Sequence, residues 1–158
     1  VASACRLRVE LVPHGAWYKN VRAVVSKADW DRLRRETYRH AAYRCEICGG
    51  QGTTYPVACH EVWAYDERSR RQWLVRLTAL CPACHDVQHL GRTGAVGGLQ
   101  AVEEATVHLC RVNSWTREQA DRHVEEAFAT WRRRSRIVWT QDYSWLKHKR
   151  VAFGEGNA

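Results

Sequence analysis

Two Cys-x-x-Cys pairs, Cys45 with Cys48 and Cys81 with Cys84, stand 32 residues apart in this chain. Four thiolates carried on two tight turns can surround one tetrahedral Zn2+ at roughly 2.3 Å from each sulfur. Such a clamp constrains everything between its halves, because that segment must leave one turn and return to the other. The first turn reads C-E-I-C-G-G-Q-G, with glycines that permit left-handed backbone. The second, C-P-A-C, runs straight into H-D-V-Q-H. The chain has seven cysteines, an odd number, and four of them show this spacing, so metal knuckles in a reducing compartment are expected rather than a disulfide framework. Cys5 and Cys110 read as small packed residues. A four-cysteine zinc has no open coordination position, so any catalysis must lie elsewhere.

The segment between the knuckles is patterned as a hairpin. Residues 54 to 65 are rich in β-branched and aromatic types, 66 to 71 form a polar turn, and 72 to 80 alternate through Trp73, Val75 and Leu77. A short helix follows the second knuckle and stops at Gly91. Upstream, Arg6 to Val12 alternates as a short strand that ends at Pro13 and Gly15, and Ser26 with Asp29 caps a helix over about 27 to 43. Downstream, a glycine-rich link spans Gly91 to Gly98. A helix then ends near Asn113, and Thr116 with Gln119 forms a capping box for another, expected to pack antiparallel to it. Trp139, Tyr143 and Trp145 should dock the tail, with fraying beyond. At 158 residues the expectation is one α+β domain. Its core covers 44–92, an N-terminal strand and helix occupy 5–43, and C-terminal helices and tail occupy 97–158.

Lys and Arg outnumber Asp and Glu by 25 to 17, a net charge of +8 that favours a polyanionic partner. Arg70 and Arg71 at the hairpin turn, Arg92 at the helix exit, and Arg132, Arg133 and Arg134 at a helix end are the candidate DNA contacts. Each run also has a plainer reading, as a solvated face or a helix end whose cations suit the macrodipole. No stretch has the apolar length of a membrane span, and Val1 to Val12 has no signal-peptide pattern, so a cytoplasmic location without membrane contact is expected.

His85 and His89 are four apart, so on a helix both imidazoles leave one face and can share a second metal ion. His60 lies on the preceding strand, which the zinc clamp would hold near that helix. Singly, each histidine is more ordinary as a core or surface residue; their order along the chain is what singles them out.

On these residues the chain resembles the HNH, or ββα-metal, endonuclease family in its version with a four-cysteine zinc. The resemblance is carried by R-C-E-I-C-G-G at 44–50, A-C-H-E-V-W at 58–63 and L-C-P-A-C-H-D-V-Q-H at 80–89. It implies a ββα-metal core and hydrolysis of DNA phosphodiesters to 5′-phosphate and 3′-hydroxyl ends. His60 would be the general base, His85 a ligand of a catalytic divalent ion such as Mg2+, Mn2+, Ni2+ or Zn2+, and His89 a second ligand or a phosphate contact. The family's ligand just before the base is replaced by Cys59, which either binds a softer ion or is a packed residue. The family's middle Asn falls near Arg76, so another group must tie down the hairpin, with 66–71 as the candidate region.

Three classes of function are compatible with these features. The first is an active endonuclease, acting as a homodimer if both strands are cut. The second is a catalytically degenerate zinc-containing nucleic-acid binding module. The third is a structural or protein-interaction zinc domain.

Overall fold

The computed structural model describes residues 5–153. Strands β1 (Ala58–Asp66) and β2 (Arg71–Leu80) form the antiparallel hairpin. Their pairing sets His60 opposite Thr78 and Ala58 opposite Leu80, with a bulge between Val62 and Trp63. The turn is closed by Asp66, whose carboxylate accepts hydrogen bonds from the Arg68 N–H (3.0 Å) and the Ser69 hydroxyl (2.6 Å). A third strand, β3 (Thr140–Asp142), pairs in parallel with β2, giving the order β1-β2-β3 among the described residues. Periodicity does not announce β3: three residues are too short for an alternation, and a partner 70 residues away supplies their hydrogen bonds.

Helices α1 (Val21–Val24) and α2 (Lys27–His40) cover one face of the hairpin with the tail. The Ser26 hydroxyl accepts from the Asp29 N–H at 3.1 Å, so α2 begins where its cap signal places it. It ends at His40, because Ala42 and Tyr43 adopt left-handed backbone with φ of 49° and 57°. Val21, Leu33, Leu74, Leu77 and Leu146 are buried together on this side, with Cys59, Trp30 and Trp63 packed against them. The aromatic tail does dock: Trp139 is buried, and its indole N–H donates to the Arg134 carbonyl at 2.9 Å. Expectations for 154–158 lie outside the described residues.

On the other side, α3 (Pro82–Gln88) leads almost without pause into α4 (Leu90–Asn113). The stop expected at Gly91 and the loop expected over Gly91 to Gly98 are therefore corrected. The chain stays helical to a kink at Gly98, where φ of 70° and ψ of −162° need a residue without Cβ. Burial of Leu90 in the core offsets the poor helix propensity of the glycines around it. After α4, the Thr116 capping box starts α5 (Arg117–Arg134), with both reciprocal hydrogen bonds formed. A turn of three residues joins α4 to α5, and the two helices pack together.

The expected N-terminal strand is also corrected. Residues 6–12 form no regular element, bend at Leu7 and join no sheet among the described residues. Side chains and a helix end supply their partners instead. Asn113 Oδ1 accepts from the N–H groups of Arg6 (2.8 Å) and Leu7 (3.0 Å), His123 Nε2 accepts from Val9 N–H (3.0 Å), and the Gln88 carbonyl accepts from Glu10 N–H (3.1 Å). The alternating Leu7 and Val9 are buried as expected of a strand, against Leu80, Val87, Leu109 and Ala120. Alternation thus reported a half-buried segment, not a ladder.

Candidate metal centres

The first centre is built where the two knuckles meet. Gly49, with φ of 76°, turns the chain after Cys48, and its N–H donates to the Cys45 carbonyl at 2.8 Å. Cys81 caps α3, so Cys84 leaves from its first turn. The sulfurs of Cys45, Cys48, Cys81 and Cys84 lie within 4.8 Å of one another, and Cys48 and Cys81 are 3.6 Å apart. Tetrahedral zinc at about 2.3 Å from each sulfur requires separations of about 3.8 Å, so these four fit such an ion as they stand. None forms a disulfide. Without an ion the thiols share protons: Cys45 is held well below the ordinary thiol range, chiefly by the Cys84 thiol, and the same contact pushes Cys84 up.

Two groups near this centre were not singled out from the sequence. His108 Nε2 lies 3.1 Å from the Cys84 sulfur, and Arg111 Nη2 lies 2.8 Å from His108 Nδ1. Guanidinium can only donate, so Nδ1 accepts and the Nε2–H points at sulfur. Glu46, inside the first knuckle, accepts from the Ala79 N–H (2.6 Å) and the Thr78 hydroxyl (2.7 Å) and pairs with Arg76 at 3.2 Å. Glu46 therefore ties the hairpin to the knuckle, next to the position that Arg76 takes. The region 66–71, expected to supply that tie, closes its own turn and pairs with Asp142, Arg133 and Arg134 rather than with the knuckle. Glu46 could have been noticed as a charged residue between two clamped cysteines; His108 has no such signal, because its partner Cys84 is 24 residues away.

The second centre lies between β1 and α3. His85 lies in α3, His89 caps its end, and His60 faces them from β1. One ring nitrogen from each lies within 4.8 Å of the others, and the ring centroids are 5.5, 4.9 and 4.6 Å apart. All three are held towards the neutral form. Burial pushes His60 down to about 2, helped by His89 and His85, and pushes His89 down to about 4, helped by His85 and Arg92. His85 is lowered mainly by burial as well. Neutral imidazoles offer lone pairs to a cation, and mutual separations under 4.8 Å suit a divalent ion bound by nitrogen at roughly 2.1 Å. His60 is 4% exposed, and among the described residues its Nδ1 has no hydrogen-bond partner. No backbone carbonyl among the described residues orients this ring through Nδ1. A buried nitrogen left unsatisfied calls for a ligand or water.

Cys59 is not part of this cluster. Successive residues of β1 point to opposite faces, and Cys59 packs with Leu33 and Trp63 beneath α2, beside Thr37. Burial pushes its thiol up to about 12, unlike a ready thiolate ligand. The β1 irregularity comes only after Val62, too late to turn Cys59 towards His60. The reading of Cys59 as a ligand is replaced by that of a packed residue.

The three histidines line a cavity of about 760 Å3 between β1, the N-terminal segment and α5. Glu61 also lines it, fixed by hydrogen bonds from the Val21 N–H (2.9 Å) and the Trp63 indole (3.0 Å), and burial raises its carboxyl to about 7. Of the candidate arginines, Arg92 and Arg134 lie on the cavity wall, and the charge of Arg92 helps to depress His85 and His89. Arg70 and Arg71 share the hairpin tip with Glu67, which pairs with Arg133 (2.8 Å) and Arg134 (3.2 Å), so those two clusters meet at one end of the molecule. Arg71 pairs with Asp142, and Arg134 stacks over Tyr65 at 4.3 Å, so part of this charge is already engaged. Arg132 is exposed. No helix among the described residues is long and apolar enough to cross a membrane.

Compared with protein-family models, curated proteins and solved structures, the chain matches none of them.

Proposed function

We propose that this chain is a metal-dependent endonuclease of the HNH type that hydrolyses DNA phosphodiester bonds. The observation that carries the reading is the convergence of His60, His85 and His89 on one buried point, beside a four-cysteine cluster fit for zinc. The zinc would be structural, holding the two strands and α3 in register. His85 and His89 would hold a catalytic divalent cation, which when bound supplies a Lewis acid for the phosphate and the departing oxygen.

The task of His60 is to accept a proton from water. It is neutral over the whole physiological range, so it is always in the accepting form. The burial that keeps it neutral also makes it a weak base in the free protein. A phosphodiester anion placed beside it stabilises the imidazolium and raises its basicity when substrate is bound. Arg92, on the cavity wall, can meet a phosphate oxygen, and the arginines at the hairpin tip can hold the flanking backbone.

The departure at Cys59 favours a second reading, a zinc-bearing DNA-binding module with a degenerate site. Incubation of supercoiled plasmid with Mg2+, Mn2+, Ni2+ or Zn2+ separates the two. Conversion to nicked or linear DNA by the wild-type protein, lost in His60→Ala, supports the endonuclease. Salt-dependent binding with no cleavage under any ion supports the binding module.

A further inference from the structure

We infer that the cavity beside the three histidines takes an unpaired nucleotide of single-stranded DNA, with the Trp17 indole as its stacking platform. This rests on the phosphodiesterase reading of the histidine site and names the form of nucleic acid that reaches it.

Size is the first argument. The cavity of about 760 Å3 falls within the range, roughly 300–1,000 Å3, of pockets that enclose a molecule the size of a nucleotide. The histidines form part of its wall, and His60 is 4% exposed, so a phosphate reaches them by entering the cavity rather than by lying across an open surface. A duplex, whose major groove alone is about 12 Å wide, cannot follow it in. A single strand can.

The chemistry of the wall agrees. Trp17 follows the 3-10 turn His14–Ala16, lines the cavity, and keeps 48% of its surface exposed. The other three tryptophans on the wall, Trp30, Trp63 and Trp131, have structural employment: the Trp131 indole N–H donates to the Val12 carbonyl at 3.1 Å and its ring meets that of His14 at 5.0 Å. Trp30 and Trp63 pack against the buried cluster under α2, and Trp63 is also held by Glu61 and by an edge contact to Tyr143. Trp17 is thus the indole left with a free face, the surface on which a base of any sequence can stack. Arg8, Lys19, Arg22 and Arg92 line the same space, and none of them has an ion-pair partner among the described residues. Arg134 lines it too, so five cations face the three wall carboxylates Glu10, Glu61 and Glu126, an excess that suits a flexible, charged single strand, whereas Arg71 and Arg133 are matched by Asp142 and Glu67.

The test uses the full chain with its zinc in the His60→Ala background, so that binding is measured without cleavage. A labelled thymidine 12-mer and a duplex of the same length are titrated at one fixed salt concentration, following anisotropy and tryptophan fluorescence. The expected result is binding of the single strand at least about 10-fold tighter than the duplex. Adding Trp17→Ala should lower single-strand affinity about 10-fold and leave duplex affinity unchanged, while Trp17→Phe keeps most of it. Zinc content and circular dichroism confirm that each variant is folded. Equal or tighter duplex binding overturns the inference, as does single-strand affinity within two-fold of the parent after Trp17→Ala. Cleavage of both DNAs by the wild-type protein is measured separately. Failure to cut either one sinks the phosphodiesterase reading, while the binding ratio still decides the single-strand one.

Discussion

His108 Nε2 lies 3.1 Å from the Cys84 sulfur, with Arg111 fixing the tautomer from the other side of the ring. A hydrogen bond delivered to a metal-bound thiolate spreads its negative charge and holds the ligand in place. His108→Phe should therefore keep the packing of the buried ring but lower zinc affinity by a factor of about 10. Competition against a chromogenic chelator measures this. Retention equal to wild type would show that the contact is incidental.

The four-cysteine centre should be a condition for folding. Cys45, Cys81 and Cys84 are buried in the same cluster as Leu7, Leu80 and Leu109, so losing the ion leaves thiols in the core and frees both ends of the hairpin. Ser at any of the four positions is expected to abolish stoichiometric zinc and to remove the cooperative melting transition. A metal analysis that finds no zinc in folded wild-type protein contradicts this.

His60 and Cys59 are neighbours with different work. His60→Ala should leave zinc content and melting temperature nearly unchanged and slow plasmid cleavage by a factor on the order of 100 or more. Cys59→Ala should cost little activity, because its thiol packs beneath α2. Cys59→Asp should lower the melting temperature by placing a carboxylate among Leu33 and Trp63. A Cys59→Asp protein that is stable and cleaves faster with Mg2+ would return that position to the metal site.

The histidine centre should make the metal-free site acid-sensitive. His60 and His89 have folded values of about 2 and about 4, below the ordinary imidazole value near 6.5, so the unfolded chain binds more protons below that pH. Their contribution to stability is full above about 6.5 and is lost as pH falls through the window towards 4 and then 2. Glu61 has the opposite sign. Its folded value of about 7 exceeds the ordinary 4.5, so stability is lost as pH rises from about 4.5 through 7, and Glu61→Gln should raise the melting temperature at pH 8 more than at pH 5. Melting curves of wild type and variant from pH 5 to 8 check both signs. NMR titration should find the His60 and His89 rings neutral at pH 6.

Arg92 should matter more than the arginines at the hairpin tip. It lines the cavity with the histidines and has no ion-pair partner among the described residues, whereas Arg134 on the same wall and Arg133 are both tied to Glu67. Arg92→Gln is expected to slow cleavage and to flatten the salt dependence of DNA binding by about one unit of slope. A larger loss from neutralising Arg133 than Arg92 would move the DNA path to the hairpin tip.

The chain by itself determined what depends on neighbours in sequence. Knuckle spacing, the hairpin, the Ser26 and Thr116 caps and the helical pitch from His85 to His89 all act over a few residues, where backbone geometry leaves few choices. Tertiary structure decided the rest. Asn113, 106 residues from Leu7, supplies the bonds that a sheet would have given the N-terminal segment; β3 exists only because β2 pairs with it; and burial of Leu90 carries a helix through glycines that would stop it alone. The same division runs through the candidate site. The order of His60, His85 and His89 could be read along the chain, but that Cys59 turns away beneath α2 while His108 reaches Cys84 depends on which faces the packed elements present to one another. Those contacts are long-range, and their energies come from burial that no local pattern encodes.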